Sequence, residues 1–105
     1  MWAQLIKTGL KAGKAGELDR LAEQFQAAEQ PGSGLVWSAT MLDQKDPSVV
    51  YMMIVCENEE KARAREQDPR REKGLAVARA TMAEIFEGPV EFIDLNVVAE
   101  MQGRE

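Results

Sequence analysis

The sequence predicts a single α+β domain with the element order β-α-β-β-α-β, and three observations carry that prediction. Two strand-like runs separated by a turn, Leu35–Leu42 and Val49–Cys56, form the centre of the chain; a helical apolar stripe lies on each side of them; and a further strand-like run stands near each end. With 105 residues the chain has room for one core, so the domain spans 1–105.

From Trp2 to Leu10 the run WAQLIKTGL roughly alternates apolar and polar residues, as a strand does when its two faces meet different surroundings. Lys11 to Gly16, KAGKAG, has two glycines and no apolar bulk, and reads as a connection into a helix. Between Glu17 and Glu29, Leu18, Leu21, Ala22 and Phe25 fall at i, i+3, i+4 and i+7, one stripe of an amphipathic helix. Pro31 cannot continue that helix and Gly32-Ser33-Gly34 supplies a turn, so the helix stops near Gln30.

LVWSATML over Leu35–Leu42 and VVYMMIVC over Val49–Cys56 are rich in β-branched, aromatic and other apolar residues, and Asp43 to Ser48, DQKDPS, turns the chain between them. The second run is almost continuously apolar, which requires burial of both of its faces. Asn58 caps the next helix, with Glu59 and Glu60 in its first turn, where acids meet the positive end of the dipole. Asp68-Pro69 interrupts the pattern over Glu59 to Arg79 and predicts two helical pieces. The second piece carries Leu75, Ala78, Met82, Ile85 and Phe86 along one side and should stop at Gly88-Pro89. A last strand over Val90 to Met101 follows, with Ile93, Leu95 and Val97 on one face and Phe92, Asp94, Asn96 and Val98 on the other.

This order is the ferredoxin-like βαββαβ arrangement, a four-stranded antiparallel sheet with two helices on one face. Its other face would be bare, and a second copy of the chain is the economical cover, giving a homodimer in the form of a dimeric α+β barrel.

Composition removes several function classes. A net charge of −5 disfavours a nucleic-acid partner, because affinity for phosphate backbones needs clustered Lys and Arg without interleaved acids. Histidine is absent, which removes the commonest metal ligand and acid-base group. No apolar run is long enough to span a bilayer, and the start, MWAQLI, lacks the pattern of a secretory signal, so a cytoplasmic location is expected. The single cysteine, Cys56, cannot form an internal disulfide, and its apolar setting points to an inert thiol.

Gln30-Pro31-Gly32 before the second strand, Cys56-Glu57-Asn58-Glu59-Glu60-Lys61-Ala62, and Gln67-Asp68-Pro69-Arg70-Arg71 are the segments that carry a family resemblance. With the strand order, they make the chain resemble the antibiotic biosynthesis monooxygenase superfamily of dimeric α+β barrels, from Trp2 to about Glu100. Members of that superfamily include enzymes that oxidise polycyclic phenols to quinones without a cofactor, enzymes that open haem, and others with no assigned reaction, and the resemblance implies one of these. Cofactor-free members hold substrate with an Asn and a Trp on the third strand and a Tyr early in the second helix. Here those positions align with Met52, Cys56 and Ala62, none of which supplies the hydrogen bond or the ring. Haem-opening members ligate iron through histidine, which this chain lacks, so no cofactor and no metal are expected.

The expected ligand-binding residues are Trp37, Met52, Cys56 and Asn58, forming a pocket between sheet and helices for a small hydrophobic or aromatic molecule. Each has a plainer role beside this one. Trp37 is also a large core residue, Met52 with Met41 and Met53 also a core filler, Cys56 an unreactive thiol and Asn58 a helix cap. Tyr51 cannot share a face with its neighbour Met52 and should tie subunits together. Arg63, Arg65, Arg70, Arg71 and Lys73 read as a solvated helix face, and Asp94 and Asn96 as residues of an exposed edge. Two functions follow: an oxygenase-like enzyme, or a binding or structural homodimer that keeps the frame without the chemistry. A cavity large enough for a ring system favours the first, and a filled core the second.

Overall fold

The protein is described over residues 1–105 by a computed structural model. Strands β1 (Trp2–Leu10), β2 (Leu35–Leu42), β3 (Val49–Cys56) and β4 (Phe86–Asn96) form one sheet in the order β2-β3-β1-β4, with every pair antiparallel. Helix α1 (Leu18–Ala28) follows a short 3-10 turn over Ala15–Glu17. The second helical region is broken as Asp68-Pro69 predicts: α2 (Glu59–Glu66), a 3-10 turn over Pro69–Arg71, and α3 (Glu72–Ile85). This is the ferredoxin-like topology.

Local chemistry sets these boundaries. Asn58 Oδ1 accepts from the Lys61 amide at 2.8 Å and caps α2, and Asp68 Oδ1 accepts from the Arg70 amide at 2.9 Å while Pro69 occupies the first position of the next turn. Helix α1 crosses α3 at Ala28 and Gly74, where the missing side chain lets the two backbones approach.

The end of the chain departs from expectation. Helix α3 stops at Ile85 rather than at Gly88-Pro89, and β4 begins at Phe86 rather than Val90 and ends at Asn96 rather than Met101. Gly88-Pro89 is a bulge inside β4: Lys7 pairs with Glu91 but Gly9 with Glu87, so β4 carries two extra residues there. Gly88, at φ +79°, allows the kink, and Pro89 is tolerated because β4 is an edge strand with no neighbour on its outer side.

A second bulge falls near the start of β2. Leu35 pairs with Cys56 and Trp37 with Val55, so Val36 is inserted and every later residue of β2 changes face. The pairings Ile6 with Met52 and with Phe92 place these three on the helix-covered face, together with Trp2 and Cys56; Leu5, Met53 and Ile93 share the opposite face.

On the helix side the core is split. Leu10, Leu21, Val50, Met52, Ala78 and Ile85 form one buried cluster, and Trp2, Cys56 and Ala62 form another. On the open side Val55 is buried and Tyr51 and Met53 are half-buried, but Trp37, Met41, Ile93 and Leu95 are exposed. The double burial expected of β3 is therefore incomplete within one chain.

Candidate functional site

Between the sheet and the helices lies a cavity of about 1170 Å³, lined by members of both core clusters. That volume slightly exceeds the roughly 300–1000 Å³ usual for small-molecule sites. Trp2, Phe25, Phe86 and Phe92 give it aromatic walls and Met52, Met82 and Cys56 add sulfur. Phe92, on edge strand β4, lines the cavity and is 62% exposed, so the cavity is open to solvent there.

Of the residues expected to bind ligand, Met52 and Cys56 line this cavity and Trp37 and Asn58 do not. Trp37, 50% exposed, stands on the open face because of the bulge at Val36; in an unbroken strand it would share the face of Leu35 and look toward the helices. A wall of Trp37, Met52 and Cys56 within one chain is thus corrected by register. Asn58 spends its side-chain oxygen on the α2 cap. Met52, Cys56 and Ala62, the three positions singled out by the family resemblance, all line the cavity.

The cavity's own indole is that of Trp2, which pairs with Cys56 across β1 and β3 and is 5% exposed. The Arg63 guanidinium lies over its ring at 4.9 Å from the centroid, within the range of a cation–π contact. Arg63 Nη2 also donates to Asp94 Oδ2 at 2.9 Å, and Gln4 Nε2 donates to Asp94 Oδ1 at 2.9 Å. The Gln4 hydrogen bond, followed by that from Arg63, holds the Asp94 carboxyl below the ordinary aspartate pKa. Asp94 is an edge residue, as expected, yet it is fully engaged.

A second polar group sits where α1 ends and α2 gives way to α3. Arg65 Nε donates to Glu29 Oε1 at 3.1 Å, and Arg71 Nη1 donates to the Arg65 carbonyl at 3.0 Å. The expectation of a solvated arginine face fails for both, since the Arg65 side chain is 13% exposed and Arg71 only 4%. Pro69 and the 3-10 turn redirect the chain so that Arg71 points inward, a tertiary effect that its charge gave no sign of. Burial, and then the neighbouring Arg65 charge, push the Arg71 pKa below the usual arginine value. Desolvation raises that of the Cys56 thiol, which is 1% exposed.

No protein-family profile matches this sequence, and no curated protein matches it. Solved structures do. A provisional antibiotic biosynthesis monooxygenase from Nitrosomonas europaea superposes with a TM-score of 0.72 at 12% identity, covering 94% of this chain and 100% of the other. A second provisional antibiotic biosynthesis monooxygenase, from Chloroflexus aurantiacus, gives 0.67 at 18% identity over 97% and 98%. This chain has the antibiotic biosynthesis monooxygenase fold. The same frame is seen in a mutant of MhuD with two manganese protoporphyrin IX molecules bound per active site, at TM-score 0.73 and 17% identity over 98% of this chain and 100% of that one. Identities this low speak for the shared frame and leave the chemistry to the residues.

Proposed function

We propose that this chain is a cofactor-independent, oxygenase-like member of the antibiotic biosynthesis monooxygenase superfamily. It works as a homodimer and holds a flat, oxidisable aromatic molecule of polyketide type in the helix-side cavity. The observation that carries this reading is the cavity itself: a filled core would have left no room for a ring system, whereas about 1170 Å³ with aromatic and thioether walls accommodates several fused rings.

The reaction would convert an activated methylene to a carbonyl with dioxygen, one oxygen atom remaining on carbon and the other leaving as water with both methylene hydrogens. The substrate supplies all four electrons. The chain's contribution is to hold and orient that substrate against Trp2 and Phe92 and to keep water from its buried end. The ring that the family resemblance would put at Cys56 comes instead from Trp2, its cross-strand neighbour.

The residues present do not fit a haem. Histidine is absent from the chain, and the only thiol, Cys56, is desolvated with its pKa raised, the opposite of what a thiolate ligand requires. The dimer is supported by the bare sheet face, where Trp37, Met41, Ile93 and Leu95 form an apolar surface suited to isologous packing against a second copy.

Oxygen uptake with a panel of anthrones and hydroquinones, with product identified by mass spectrometry, tests the reaction. Uptake above the uncatalysed rate that is lost in Trp2→Ala is expected. Binding of these compounds without uptake would overturn catalysis and leave a small-molecule-binding homodimer, the reading favoured by Met52, Cys56 and Ala62 at the aligned family positions.

A further inference from the structure

The charged group at one end of the cavity is unbalanced. Two guanidiniums, Arg65 and Arg71, are paired with one carboxylate, Glu29, and all three residues line the cavity. Glu29 has little left to give: Oε1 accepts from Arg65 Nε at 3.1 Å and from the Gln30 amide at 3.3 Å, and Oε2 from the Ser33 hydroxyl at 3.0 Å. Arg71 Nε finds no hydrogen-bond partner, and its nearest carboxylate oxygen, Glu29 Oε1, stands 4.0 Å away. Asp68 stands near Arg71 but gives both of its oxygens to Arg70, and the charge of Arg79, another cavity residue, adds to the positive field around Arg71.

A buried guanidinium with an idle donor is costly unless a counter-charge reaches it. The same cavity is also lined by the aromatic, aliphatic and thioether side chains of Trp2, Ile6, Phe25, Met52, Met82 and Phe92, so it holds both an apolar surface and this cationic group. We infer that this end is an anion subsite, in which Arg71, beside Arg65, receives the carboxylate of an aromatic carboxylic acid whose rings lie along Trp2, Met52 and Phe92. The inference rests on the cavity being a ligand site and adds the class of ligand: a planar aromatic acid rather than a neutral aromatic compound.

Titration calorimetry at pH 7 with 2-naphthoate and its neutral isostere 2-naphthamide separates the two ideas. The wild-type protein should bind naphthoate at least 10-fold more tightly than naphthamide, because a desolvated charge-assisted pair is worth on the order of tenfold or more over a neutral hydrogen bond. Arg71→Gln should abolish that preference and leave naphthamide affinity within about twofold. Glu29→Gln keeps the shape while removing the internal counter-charge. It should widen the preference and enlarge the rise in melting temperature that naphthoate produces, which keeps the test decisive if Arg71→Gln fails to fold. Equal affinity for the two probes in the wild type, or a naphthoate preference unchanged in Glu29→Gln, overturns the subsite while leaving the cavity as a ligand site. Failure of both probes to bind overturns the subsite together with the cavity reading.

Discussion

Gly74 on α3 lies so close to Ala28 on α1 that a β-carbon at position 74 would stand 2.6 Å from the Ala28 β-carbon and 2.9 Å from its α-carbon. Glycine inside a helix normally costs about 1 kcal/mol relative to alanine. Here the crossing of the two helices reverses that preference. Gly74→Ala should destabilise the protein by about 1–3 kcal/mol, because the contact is with backbone and a buried neighbour that cannot swing aside. Urea unfolding monitored by circular dichroism checks it, and a midpoint equal to or above that of the wild type would show that the helices separate freely.

Cys56 is buried between Trp2 and Ala62 with its pKa raised by desolvation. The native protein should therefore react with Ellman's reagent at pH 8 far more slowly than a free thiol, on the order of 100-fold or more, and release one equivalent only when unfolded. Rapid stoichiometric reaction of the folded protein would contradict both the burial and the absence of a thiolate.

Asp94 titrates below its ordinary value in the folded state because of Gln4 first and Arg63 second. A carboxylate with a depressed folded pKa contributes stability above its unfolded value, near pH 4, and loses that contribution as pH falls through the folded value. The wild type should lose stability on acidification through this window, and Asp94→Asn should flatten the part of that slope that lies below about pH 4 while leaving the slope above about pH 5 unchanged. Unfolding free energies measured from pH 6 to pH 2.5 give the comparison; identical slopes would mean that the Gln4–Asp94–Arg63 group carries no linkage.

Trp37, turned outward by the bulge at Val36, stands on the sheet face for which a second copy is the proposed cover. Sedimentation velocity at micromolar concentration should show a dimer. Trp37→Glu should weaken association by at least 30-fold, about 2 kcal/mol, as expected for an aromatic anchor near the centre of an interface. A wild-type protein that sediments as a single subunit would remove the dimer and leave Trp37 as an exposed surface residue.

Much of the fold was legible because its signals are local. The runs Trp2–Leu10, Leu35–Leu42 and Val49–Cys56 coincide with the observed strands, and Asn58 and Asp68-Pro69 start and break the helices through hydrogen bonds within three residues of themselves. The last strand was misjudged for an instructive reason: Gly88-Pro89 has the composition of a helix stop, but pairing of Phe86 with Leu10 recruits the residues before it into the sheet and turns the dipeptide into a bulge.

The site was harder. Met52 and Cys56 were reached through the family resemblance, but Trp2, Phe92 and Arg71 were not, because each joins the cavity through a neighbour distant in sequence. The sequence by itself determined the element order, the helix caps and the excluded chemistries, since these depend on side-chain type and on spacings of a few residues. Tertiary structure alone decided which face Trp37 occupies and which arginines lose their water. A single inserted residue reverses the facing of a strand, and burial of a charge depends on elements that meet only after the chain has folded.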